Sequence, residues 1–240
     1  MSRPKLLARY RRHLEKVSRA FDRKAARHRD AIACRRGCFG CCVGLFEISA
    51  LDAALASEGM AALPPPLRER IARRGEAIAR RIARIFPGNP RTLALDVRRE
   101  SGWDDFFERT AAIACPFLVP LIGAEPEAPI DPRGGGTAAA AARKRRWPQG
   151  FVCAIYAHRP HTCRTFGLPL EDRGAIVSPP CRLNFRGAPP ATIAAAALPI
   201  YEPEEDEIAL AAETELGAPL DAATILPAVA SGRFVSPRRS

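Results

Sequence analysis

No apolar stretch in the 240 residues approaches the roughly 18 that a membrane helix requires, so the sequence predicts no membrane span. The basic opening, MSRPKLLARYRRHLEKVSRAF, has no uninterrupted apolar segment and no small-residue cleavage site, and so does not read as a secretory signal. Glu15, Asp22 and Asp30 argue against an amphipathic transit peptide, a class poor in acids. A cytoplasmic location is the expectation. Lysine is scarce, with 4 residues against 33 arginines, as a GC-rich bacterial coding bias produces. GxSxG and HExxH are missing, and the GGG at 134–136 lacks the strand, Lys and Ser or Thr of a phosphate loop. Cysteine, at about 3% of the chain, falls far short of a secreted disulfide scaffold. In a reducing compartment, clustered thiols hold metals or do redox work more often than they form structural disulfides.

With 47% apolar residues, the chain has the material for one sizeable core. Its net charge of +11 is unevenly placed. Residues 1–36 hold 13 bases and 3 acids, while residues 202–221 hold 8 acids and no base. The acidic segment is a ready partner for the basic one, so internal charge pairing takes precedence over nucleic-acid binding. Leu7, Tyr10, Leu14, Val17 and Phe21 recur at helical spacing and predict an amphipathic helix, extended through Ala25 and His28 to Ile32. Ser49 and Asp52 form a capping box for a short helix that Gly59 would end. The prolines at 64–66 open a helix with Leu67, Ile71, Ile78, Ile82 and Ile85 on one face and arginines on a solvated one, ended by the PGNP at 87–90. Trp103 to Ala114 is a further helix candidate. CPFLV at 115–119 and FVCAIY at 151–156 read as the strands of a hairpin, separated by a Gly-, Pro- and Ala-rich insertion. The acidic 202–217 segment is a helix with Gly217 at its end, and a weaker helix interrupted by Pro227 follows.

What stands out is CRRGCFGCC at 34–42, four thiols in nine residues, because core packing gives no reason for two adjacent cysteines. Thiolates select zinc, copper(I) or iron–sulfur clusters over hard cations, and four of them complete a closed coordination sphere. The candidate ligands are Cys34, Cys38, Cys41, Cys42, Cys115, Cys153, Cys163 and Cys181. Adjacent side chains point apart in regular structure, so Cys41 and Cys42 are not expected as equivalent ligands of one site, and one of them should reach Cys115, Cys153 or Cys163. Arg35 and Arg36 lie within the first cluster, while Arg159, Arg164 and Arg182 flank the later cysteines; guanidinium groups there would offset thiolate charge. His28, one to two turns before the first thiol, is read as a core-edge histidine, or in the sharper reading as a donor to the site.

Cys34, Cys38, Cys41 and Cys42, then Cys115-Pro116-Phe117-Leu118, then Cys153-Ala154-Ile155-Tyr156 running through Arg159-Pro160 to Cys163-Arg164, together resemble the CxxCxxCC family, the zinc- or iron-chelating YkgJ-type cysteine-cluster proteins, over residues 34–182. The resemblance implies metal binding by the cysteines, as zinc or iron–sulfur, in a mostly helical fold, and no established reaction. A related module in flagellin lysine methylases keeps an enzymatic role in view. The first gap departs from the family pattern, CxxxC in place of CxxC, which makes Cys34 the least secure member. His158 and His161, at positions that the pattern leaves unspecified, are loop residues first and auxiliary ligands second. Residues 34–41 also match the CxxxCxxC of radical S-adenosylmethionine enzymes, but the repeated βα units of that class are missing and Gly40 stands where an aromatic is usual.

The sequence thus predicts a mainly α protein with a small β-hairpin, a single metal-stabilised domain. It comprises a basic amphipathic helix over 1–30, a cysteine-cluster domain over 31–185 with a mobile insertion at about 120–149, and an Ala/Pro-rich, acidic helical extension over 186–240. The expected function is thiolate binding of an iron–sulfur cluster, ahead of zinc, for metal retention or redox sensing. The alternatives are a cluster-dependent methylase-like enzyme and a structural zinc module that docks a protein partner. No nucleic-acid or membrane partner is expected.

Overall fold

The computed structural model describes residues 2–34, 37–120, 150–200, 203–216 and 223–234. In chain order the helices are α1 (Arg3–Arg27), α2 (Ala50–Ala61), α3 (Pro65–Ile82), α4 (Trp103–Arg109), α5 (His161–Thr165), α6 (Pro190–Ala195), α7 (Pro203–Leu216) and α8 (Leu226–Ala230). The strands are β1 (Glu47–Ser49), β2 (Gly88–Asn89), β3 (Ala94–Leu95), β4 (Leu118–Pro120), β5 (Phe151–Cys153), β6 (Leu170–Asp172), β7 (Ala175–Ser178), β8 (Leu198–Pro199) and β9 (Ala223–Ile225). They pair only in small sheets, so the protein is mainly α with minor β structure. The predicted hairpin is β4 against β5, antiparallel with Leu118 opposite Cys153. The insertion between its strands lies at 121–149, outside the described residues.

Helix α2 is the centre of the molecule. Ser49 caps it, its Oγ accepting from the Asp52 N–H at 3.1 Å, as the capping box requires. Ala50, Leu51, Ala53, Ala54, Leu55, Ala56 and Met60 are all buried, so the helix presents small side chains to packed neighbours on every side. On one face Leu51 and Leu55 join Leu6, Leu7, Tyr10 and Leu14 of α1 and Ile208 and Ala212 of α7. On the other, Ala53, Ala56 and Met60 join Ile71 of α3, Phe117, Ile155 and Leu226 of α8. Gly59 does not end the helix as its sequence position suggests; α2 continues to Ala61. A Cβ at Gly59 would lie 2.7 Å from the His158 Cβ, so the glycine lets the 3-10 turn Tyr156–His158 press onto α2.

The C-terminal region is not an appendage. Strand β9 pairs antiparallel with β1, Ile48 opposite Thr224, and Thr224 Oγ1 donates to the Leu93 carbonyl at 2.7 Å. Pro227 does not interrupt a helix; it sits in the first turn of α8, where its missing N–H leaves no hydrogen bond unmade. Helix α8 packs so closely on α3 that a Cβ at Gly75 would lie 2.7 Å from that of Ala230. Arg233 then clamps Glu76 through Nε at 3.1 Å and Nη2 at 2.9 Å. Helix α4 ends at Arg109, short of the predicted Ala114, because Thr110 turns its Oγ1 back onto the Phe106 carbonyl at 2.9 Å.

A helix-interior Gly→Ala change ordinarily gains up to about 1 kcal/mol. Here the sign is expected to reverse: Gly59→Ala should cost about 1–3 kcal/mol by overpacking against His158, read from the midpoint of urea unfolding. A variant as stable as wild type would show that the turn does not bear on α2.

Candidate metal centre

Cysteines from separate segments are brought into one region of the core. The 3-10 turn Gly40–Cys42 carries Cys41 and Cys42. It is stitched to the hairpin by the Cys115 N–H, which donates to the Cys42 carbonyl at 2.7 Å, and by the Val43–Ala114 bridge. Cys115 is buried among Phe117, Ile155 and Leu226, with Cys42 and Cys153 packed against the same cluster. Cys153 arrives on β5 and Cys163 on α5. The charge of Cys41 acts on Cys42, Cys115, Cys153 and Cys163 alike. No disulfide joins any of the eight cysteines.

The thiols differ in acidity for physical reasons. A hydrogen bond from Cys42 holds Cys41 down at about 7 against the opposing effect of burial, and the Arg159 charge assists. The same bond, with burial, pushes Cys42 well up. Burial and the neighbouring Cys153 raise Cys115 to about 12, burial raises Cys153 to about 11, and burial carries Cys163 well above its ordinary range. Cys41 is therefore the sulfur of the group that ionises most readily. Within the tight turn Cys41 and Cys42 act on each other in opposite senses, so the two adjacent sulfurs are not equivalent.

Cys34 lies in a second region, where the charges of Cys38 and Cys181, and that of Cys41 from the first, all act on it. Asn184 organises it. Its Nδ2 donates to Cys34 Sγ at 3.3 Å and to the Gly167 carbonyl at 2.6 Å, and its Oδ1 accepts from the Ala33 N–H at 2.9 Å. Gly167, at φ +121°, leaves room for the Cys34 sulfur, which a Cβ there would meet at 3.0 Å. Cys34 is nevertheless the one exposed cysteine.

The predicted supporting residues separate. Arg159 lies 4.0 Å over the Tyr156 ring and its charge lowers both Cys41 and Cys153. Arg164 is buried and spends its guanidinium on structure, donating to the Arg159 carbonyl at 3.0 Å, the Ala157 carbonyl at 2.8 Å and Ser18 Oγ at 2.9 Å. Arg182 is exposed. His28 caps the end of α1 with its ring against Phe185, so its place is at the core edge. Arg35 and Arg36 lie outside the described residues. Arg74, read from sequence as part of a solvated face, instead donates to the carbonyls of Pro116 (3.0 Å) and Leu118, and its charge acts on Cys115. The signal was its spacing, three after Ile71 and four before Ile78, on the apolar stripe.

Sequence reasoning also missed His13. It stands three residues after Tyr10 and four before Val17 on the same stripe, and is fully buried. His13 Nε2 lies 2.8 Å and His161 Nε2 3.3 Å from one oxygen, Glu205 Oε1, and the rings are near parallel. Among the described residues, these are the three donor groups of metal-binding type that lie within 4.8 Å of one another; no three thiols do. Glu205, part of the acidic segment read from sequence as a partner for the basic N-terminal one, is half-buried. Burial works to raise it, but hydrogen bonds from His13 and His161 hold it at about 2. Beside this trio, Asp52 Oδ1 accepts from the Tyr10 hydroxyl at 2.8 Å and from the His161 N–H at 3.0 Å.

Compared with protein-family models, with curated proteins and with solved structures, the chain finds no match in any of the three.

Burial raises the Asp52 carboxyl despite its donors. An acid raised on folding favours the folded state below its unfolded pKa, near 3.9, and loses that contribution as pH climbs through the folded value. Asp52→Asn retains an oxygen acceptor without the charge, so it should stay within about 1 kcal/mol of wild type, and the comparison should move in its favour as pH rises toward neutrality. Asp52→Ala strands two donors and should cost about 2–4 kcal/mol. Urea unfolding of the three proteins at acidic and neutral pH reads both effects.

Proposed function

We propose that the protein binds metal through its cysteines, with Cys41, Cys42, Cys115, Cys153 and Cys163 as the principal set and Cys34, Cys38 and Cys181 as a second. The observation that carries this reading is the convergence of thiols from four separate segments in a core where valine or alanine would pack as well. The resemblance to the YkgJ-type cysteine-cluster family, drawn from the cysteine pattern, agrees with it.

An iron–sulfur cluster is favoured over zinc. Sulfurs about 2.3 Å from a single tetrahedral zinc stand about 3.8 Å apart. No three thiols here lie within even 4.8 Å. A wider set suits a larger inorganic core, bound by thiolates at its corners. When bound, such a group would supply one-electron redox chemistry or metal storage; an all-thiolate sphere leaves no open position for hydrolysis. The chain's own residues prepare the site. Cys41 is the sulfur closest to ionisation near neutral pH, Arg159 and Arg74 place positive charge against it and Cys115, and the aromatic wall of Phe117 keeps water from the buried side. Loading must displace protons from Cys42, Cys115, Cys153 and Cys163, so binding should release protons and weaken in acid.

Anaerobically purified protein is expected to contain iron with acid-labile sulfide. Cys115→Ala and Cys153→Ala should abolish the iron, and Cys34→Ser should leave most of it. Colourless protein with stoichiometric zinc would reassign the site to a structural zinc module, and folded protein that takes up neither metal would end both readings.

A further inference from the structure

We propose that His13, His161 and Glu205 form a second metal site, a two-histidine, one-carboxylate set for a divalent cation of the zinc type, separate from the thiols. Each ligand comes from a different helix. His13 projects from the inward stripe of α1, His161 opens α5 and Glu205 lies in the first turn of α7. The three donor atoms fall within 4.8 Å of one another, and both imidazole Nε2 atoms address the same carboxylate oxygen.

Two imidazole Nε2 atoms from distant parts of the chain converge on one carboxylate oxygen, and His13 is fully buried. A cation between them would take both nitrogens and the oxygen as ligands and would leave the His13 Nδ1, which has no hydrogen-bond partner, on the far side of the ring. Zinc bonds to nitrogen and oxygen run about 2.0–2.2 Å, so tetrahedral ligand atoms stand about 3.3–3.5 Å apart. The His161–Glu205 separation is 3.3 Å, and the 2.8 Å His13–Glu205 hydrogen bond need open by only some tenths of an ångström. Glu204 Oε2 lies 3.6 Å from His13 Nδ1, where an outer carboxylate orients a metal-bound imidazole. The surroundings hold the ligands in place. The Tyr10 ring stacks against His13, and Asp52 holds the backbone of His161 by accepting its N–H. The side chains of His161 and Glu205 keep 23% and 21% of their surface, so the site opens to solvent on one side and leaves a fourth position for water or another small ligand. Two nitrogens and an oxygen suit zinc or ferrous iron, whereas the thiol set selects softer partners.

The test is equilibrium dialysis of the metal-free, reduced full-length protein against Co2+ or Zn2+ alone, with optical spectra of the cobalt form. Cobalt on thiolates gives intense sulfur-to-metal charge transfer; cobalt on this trio does not. Wild type should take up one equivalent that adds no charge-transfer band and that persists in Cys115→Ala. Glu205→Gln and His161→Gln should lose that equivalent while keeping the thiolate band and the circular dichroism of wild type, and Glu204→Gln should weaken it about 10–100-fold. Equal uptake by wild type and Glu205→Gln, or cobalt bound only with the thiolate signature, would overturn the proposal. Should Glu205→Gln fail to fold, His161→Gln, at the solvent side of the site, decides alone. Failure of the thiol assignment would leave this result unaffected, since the two sites share no ligand.

Discussion

A carboxylate taken out of water must be surrounded by donors, and Asp52, in the first turn of the central helix, is that group in this protein. It is almost wholly buried, and its Oδ1 receives both the Tyr10 hydroxyl and the His161 N–H. The consequence is geometric. Tyr10 belongs to α1 and His161 begins α5, so one oxygen sets where the N-terminal helix and the segment carrying Cys163 meet α2. Arg164 reinforces the junction from the other side, joining Ser18 of α1 to the carbonyls of Ala157 and Arg159. Without that anchoring, residues far apart in the chain would have no fixed relation, and the two sets of donor groups could not keep their spacing.

Helix α5 is where the two chemistries meet. His161 and Cys163 are two residues apart, so a helical backbone turns their side chains to different sides. The imidazole joins nitrogen and oxygen donors from α1 and α7, while the thiol joins the sulfurs of the hairpin. Thiols and nitrogen–oxygen groups are thereby sorted into neighbouring regions by the geometry of a single short helix. The sorting also keeps the carboxylates of Glu204 and Glu205 against the histidines, away from Cys41, whose ionisation a nearby negative charge would oppose.

Much of the helical framework is legible in the sequence because it follows from local rules. The stripe of Leu7, Tyr10, Leu14 and Val17, the Ser49 cap and the prolines before α3 each specify structure within a few residues. The same holds for the hairpin strands around Cys115 and Cys153. Pairing over long distance has no such signature. Nothing in Ala223–Ile225 announces that it completes a sheet with Glu47–Ser49, and Gly59 carries the mark of a helix end when its real role is to admit His158. At the candidate sites, spacing identified which thiols to consider but not what each one touches: Cys34 is met by Asn184, returning from a loop 150 residues later. Arg74 and His13 were concealed by residue type: each occupies an apolar position on its helix, where a polar residue invites a solvated reading.

The placement of His13 also bears on why a basic helix and an acidic one face each other. Arg9 meets Glu207 at 2.5 Å and Lys16 lies 3.9 Å from Glu204, but these pairs are exposed, and exposed ion pairs contribute at most about 1 kcal/mol. The adhesion between α1 and α7 comes instead from Ile208 and Ala212 seated on Leu6, Leu7 and Leu14. Charge then decides register. Sliding α7 by one turn along α1 would keep an apolar contact of similar kind but would carry Glu205 away from both histidines, leaving His13 buried without its carboxylate partner. A buried polar group left without its partner costs more than a surface pair contributes. The polar trio therefore excludes the shifted packing, and it is this exclusion, more than the attraction of the surface arginines, that fixes the acidic helix over the opening between α1 and α5.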